Sequence, residues 1–113
     1  MGEPVILYTT WPDADTAEAA GAEAVAERLA ACANVLAPMR SIYRWEGAVD
    51  RATEVPMLLK TTTDSAERLR ELIVARHPYD LPCIVALAVA PGCSHAPFID
   101  WIAAETGAPA AGI

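Results

Sequence analysis

The run NVLAPMRSIYRWEGAVDRATEVPMLLKTTT, residues 34–63, is the longest part of the chain patterned for strands. Apolar and polar residues alternate imperfectly from Asn34 to Arg44 around Pro38, and a second β pattern runs from Val49 through Thr63. Trp45, Glu46 and Gly47 lie between the two arms, which predicts one long β-hairpin turning there. Pro56 interrupts the second arm. Having no amide hydrogen for a ladder, it is expected to face an edge or carry a bulge.

Outward from the hairpin, Val5 to Thr10 reads as a strand covered on at least one face. Asp13 is placed to cap a helix from Ala14 to Ala31, whose apolar face of Ala17, Ala20, Ala24, Val25 and Leu29 is small enough to lie close on a sheet. On the other side, Asp64-Ser65-Ala66-Glu67 has capping-box spacing ahead of Leu69, Leu72 and Ile73, so a second helix is expected to end before Pro78. The turn His77-Pro78-Tyr79-Asp80-Leu81-Pro82 leads into a strand from Cys83 to Val89. Pro97 opens a short last helix, and the tail from Gly107 to Ile113 is expected to be loose. The order β-α-β-β-α-β plus a C-terminal helix predicts a single α+β domain over residues 1–113, ferredoxin-like, with helices on one face of an antiparallel sheet. The uncovered face, rich in apolar residues, argues for oligomerisation.

Composition narrows the function. The 113 residues carry 8 Lys and Arg against 15 Asp and Glu, a net charge of −7, and 54% are apolar. That is too hydrophobic for a disordered chain. Apolar runs are strand-length, too short to span a membrane as a helix, and the N-terminus lacks the features of a secretory signal. The cytoplasm is therefore the expected compartment. Cys32, Cys83 and Cys93 form no close pair and are expected to be reduced thiols. Without a basic stripe, nucleic acid is a poor partner, and small cations suit the charge better.

The fold brings the end of the first strand, the hairpin tip and the 77–82 turn to one end of the sheet. His77 and Cys83 there offer imidazole and thiolate, a donor pair that favours copper or zinc, with Glu46 or Asp80 available to complete a shell. Cys32 lies at the opposite end and joins only from another subunit. Each residue also has a plain structural reading. His77 beside Pro-Tyr reads as a turn residue bonding the backbone, Cys83 as a small core residue, and Trp45 as an aromatic packing on a partner subunit. Neither histidine has a partner in sequence that would make a nucleophilic catalyst, so no enzymatic activity is expected.

Four segments in register carry a resemblance: Leu29-Ala30-Ala31-Cys32-Ala33-Asn34, Ser41 through Gly47, Leu59-Lys60-Thr61 and His77 through Pro82. With Phe98-Ile99-Asp100-Trp101-Ile102 near the end, residues 4 to 105 resemble the CutA divalent-cation tolerance family. The resemblance implies a non-enzymatic, cytoplasmic homotrimer that pairs strands between subunits, akin in architecture to the PII signalling proteins, and that binds or responds to copper or another divalent cation. In copper-binding members a Cys at the end of the first strand and two consecutive His before Pro-Tyr are thought to hold the metal, and the matching positions here are Thr9, Arg76 and His77. Cys83 stands where many members have Glu, and Ala48 where Lys is common. His77, Cys83 and Glu46 are thus the candidate metal residues. The alternatives are a PII-like sensor taking a small anion on Arg44, Lys60 or Arg76 in clefts between subunits, and a structural scaffold trimer.

Overall fold

A computed structural model describes residues 2–107 of the chain. Its elements are β1 (Pro4–Trp11), α1 (Ala14–Ala26), β2 (Cys32–Val35), β3 (Met39–Trp45), β4 (Ala48–Thr62), α2 (Thr63–Arg76), β5 (Ile84–Ala88), a 3-10 turn at Pro91–Cys93, and α3 (Ala96–Glu105). All pairings are antiparallel. The sheet runs β2-β4-β1-β5, and β3 continues along β4 past the end of β2. With β2 and β3 taken as one interrupted strand, this is the expected ferredoxin-like α+β arrangement.

The interruption also explains Pro56. Its carbonyl accepts from Leu36 N at 2.9 Å, so its nitrogen, on the same side of the strand, faces the gap between β2 and β3. Toward β1 it keeps register with Thr10. The missing donor costs no ladder bond because no strand lies opposite it.

Alternation along β1 and β4 sets the core. Val5, Leu7, Thr9 and Trp11 share one face with Val55, Met57, Leu59 and Thr61, and all are buried. Against them α1 presents Ala17, Ala20, Gly21 and Ala24, and α2 presents Leu69 and Ile73. Small residues let α1 approach closely: a Cβ on Gly21 would sit 2.9 Å from the Met57 sulfur and 3.0 Å from Ala33 Cβ. Val25, expected in the core, is instead 39% exposed.

Three local expectations are corrected. Helix α1 stops at Ala26 rather than Ala31, because Arg28 turns to φ 60° and the Leu29 and Ala30 amides fold back onto Ala24 O. The Asp64–Glu67 capping box does not form. β4 runs straight into α2, Thr62 caps without a side-chain bond, and Asp64 already lies inside the helix. Gly107, expected to be loose, is clasped by Arg28: Gly107 N donates to Arg28 O at 2.8 Å, and Arg28 Nε donates to Gly107 O at 2.9 Å. The rest of that tail, 108–113, lies outside the described residues.

Helix α3 packs against β4 and β1 on the face away from α1 and α2, where the Lys60 ammonium sits 5.4 Å from the Phe98 ring centre. The second face of the sheet is therefore covered in part. Val85 and Leu87, in register with Tyr8 and Ile6 on that face, stay about half exposed.

Candidate functional site

The end of β1 and the start of the 77–82 turn form a buried polar and aromatic knot. Thr9 is fully buried; its hydroxyl donates to Met57 O at 2.9 Å and accepts from Trp11 Nε1 at 2.7 Å. Pro78 forces His77 out of helical geometry, at φ −76° and ψ 134°, and so turns the imidazole back onto the sheet. There it stacks on Trp11, ring centres 4.3 Å apart, and is only 8% exposed. His77 Nε2 meets Thr10 O at 2.7 Å, and Nδ1 accepts from Tyr79 N at 3.1 Å. A carbonyl on one nitrogen and an amide on the other select the neutral tautomer with hydrogen on Nε2. Both ring nitrogens therefore hold backbone groups.

Tyr79 continues the knot outward, its ring 4.8 Å from that of His77. Partial burial, followed by the Glu54 carboxylate and then Tyr43 and Asp13, pushes the Tyr79 phenol above its ordinary pKa of 10.0. The contribution of Glu54 and Tyr43 at this place was missed by sequence reading. Neither lies near Tyr79 in the chain, and only the β3–β4 register brings them there.

The remaining candidates are Cys83 and Glu46. Cys83 lies just ahead of β5 and is partly exposed. Glu46 is at the tip of the β3–β4 ribbon, in left-handed geometry at φ 49° beside Gly47 at φ 81°. The tip does point to the same end of the sheet as His77. However, β1 ends opposite Val55, and the seven further residues of β4 down to Ala48 carry the tip about 23 Å beyond. No three His, Cys, Asp or Glu side chains cluster as metal ligands among the described residues. Within one chain, Thr9 is saturated, His77 is engaged by backbone groups and Glu46 is remote.

The candidate anion contacts are also apart. Arg76 is engaged by Glu23 in a two-pronged pair at 2.8 and 2.7 Å that ties α2 to α1. This bond is the main cause holding the Glu23 carboxyl below its ordinary range, and it raises Arg76. Lys60 lies over Phe98, and Arg44 is out on the ribbon.

No helix among the described residues is long and apolar enough to cross a membrane. The CutA1 divalent ion tolerance protein family matches residues 5–105. The divalent-cation tolerance protein CutA of Thermus thermophilus is 42% identical over 105 residues, 93% of this chain and 99% of that one. Its counterpart from Pyrococcus horikoshii is 40% identical over 102 residues, 90% of this chain and 97% of the relative. Among solved structures, the Thermus thermophilus protein superimposes with a TM-score of 0.88 at 38% identity, covering 92% of this chain and 99% of that one. A structure from Archaeoglobus fulgidus, named as a periplasmic divalent cation tolerance protein CutA, gives 0.81 at 33% identity over 88% of this chain and 94% of its own. The chain belongs to the CutA divalent-cation tolerance family.

Proposed function

We propose that the chain acts in divalent-cation tolerance as a non-enzymatic homotrimer in the cytoplasm, where its three free thiols stay reduced. The observation that carries this reading is the β3–β4 ribbon. It projects past the core with Tyr43 and Trp45 exposed, and the sheet face continuous with them leaves Val85 and Leu87 in water. Surfaces of that kind are normally covered by a partner.

In the trimer, copper or another divalent cation is met at subunit boundaries. Glu46, too far from the 77–83 turn of its own chain, reaches that of a neighbour, where Cys83 supplies a thiolate. His77 adds its Nδ1 only by releasing the Tyr79 amide. Isothermal titration with copper, run beside light scattering, tests this. Uptake by an assembled protein that is lost in Cys83→Ser and Glu46→Gln supports the reading, and a trimer blind to copper contradicts its metal part. The anion-sensor alternative is less favoured because Arg76 already has a carboxylate and Lys60 an aromatic partner.

A further inference from the structure

The two faces of the β3–β4 ribbon are chemically opposite. The register pairs Arg40 with Thr53, Ile42 with Arg51 and Arg44 with Val49, so these six side chains share one face. The other face holds Met39, Ser41, Tyr43 and Trp45 with Ala48, Asp50, Ala52 and Glu54. That second face is continuous with the partly covered apolar side of the sheet, as the 3.7 Å contact from the Tyr8 hydroxyl to the Met39 sulfur shows. It is the face that self-association covers. The arginine face lies on the opposite side, continuous with the helix-covered one.

In a chain of net charge −7, this face gathers three of the eight basic residues and no acid. Arg28, Arg70 and Arg76 have carboxylate partners, whereas among the described residues no carboxylate lies within 4.0 Å of the guanidinium group of Arg40, Arg44 or Arg51, the nearby Asp50 carboxylate accepting from the Arg51 backbone amide at 2.8 Å instead. Among the arginines Ile42 is 66% exposed, and Val49, opposite Arg44 at the tip side, is 56% exposed. Across antiparallel strands, diagonal neighbours lie about 7–8 Å apart, so Arg51 stands between Arg40 and Arg44 in a shallow triangle around Ile42.

We propose that this face docks an acidic protein segment, carboxylates flanking an aliphatic residue, from a partner other than the chain itself. Guanidinium groups grip carboxylates with two parallel hydrogen bonds, and an apolar centre rimmed by arginine is the usual anatomy of a protein interface. The face carries no aromatic ring on which bases would stack, and a phosphate chain gains nothing from Ile42 and Val49. The rest of the chain supplies the contrast in sign that steers such a partner to this place.

The inference borrows from the trimer only which ribbon face is left free, and its test is separable from that of the assembly. Full-length protein is titrated with a labelled strand-length peptide in which glutamates flank a leucine at alternate positions, beside the same peptide with lysines in place of the glutamates. The glutamate peptide is expected to bind and the lysine peptide not. The Arg44→Glu/Arg51→Glu double variant should weaken binding roughly tenfold or more, and raised salt should weaken it too, with the oligomer mass unchanged. Ile42→Ser should weaken it with little change in salt dependence. Failure of the glutamate peptide to bind, or binding indifferent to the arginine changes, overturns the proposal. So does tighter binding of inorganic polyphosphate that ignores Ile42→Ser, and a mass change in the double variant, which would place the face inside the trimer.

Discussion

At His77 one side chain closes the end of β1 over the turn that follows α2. Replacing it with alanine leaves Thr10 O and Tyr79 N without partners and empties the space against Trp11, so we expect His77→Ala to lose about 2–4 kcal/mol in chemical denaturation. A change under about 0.5 kcal/mol would mean that the knot is not structural. Tyr79 gives a second expectation. Its folded pKa is raised above 10.0, chiefly by burial and then by Glu54, so its contribution to stability is fully present below pH 10 and is lost as pH rises through the raised value. Absorbance titration should find this phenol ionising above its ordinary value, and Glu54→Gln should bring it down. From sequence, His77 was open to two readings, ligand or backbone-bonding turn residue. Pro78 made the turn predictable, but the burial of Trp11 beneath the imidazole depends on how β1 pairs β4, which no local signal reports.

Element by element, the chain follows its patterns where they are local and departs where distant parts intervene. The β3–β4 hairpin, β1 and the end of α2 were readable from alternation, turn residues and Pro78. The end of α1 was not. An alanine-rich run offers no stop signal, and the stop is made by Arg28, whose side chain bonds Ala104 O and Gly107 O far along the chain. Glu46 was readable at the right end of the sheet, but its distance from His77 within one chain was not, since the span of β4 past β1 depends on register. Gly21→Ala tests the packing of α1. Alanine is favoured over glycine in a helix by about 1 kcal/mol, yet the new methyl group would meet Ala33 Cβ and the Met57 sulfur, and overpacking costs about 1–3 kcal/mol. We therefore expect a net loss of stability on thermal unfolding. The Glu23–Arg76 pair adds a pH-dependent tie. With Glu23 depressed, its contribution is present above the ordinary carboxylate value and is lost as pH falls through the lowered one. In Arg76→Gln, NMR titration should show the Glu23 carboxyl returning upward.

For the whole molecule, extents of 52 × 30 × 23 Å describe a body with an arm rather than a closed globule. A lone chain of this shape keeps Trp45, Tyr43, Val85 and Leu87 in water, although 54% of its residues are apolar. In the proposed trimer, copies covering one another would remove that cost and would bring Glu46 of one ribbon toward Cys83 of the next. The most direct measurement is the mass of the purified protein in solution, by light scattering at micromolar concentration. Three chains of 12.0 kDa predict about 36 kDa, stable on dilution, and a single species at 12.0 kDa would contradict the account.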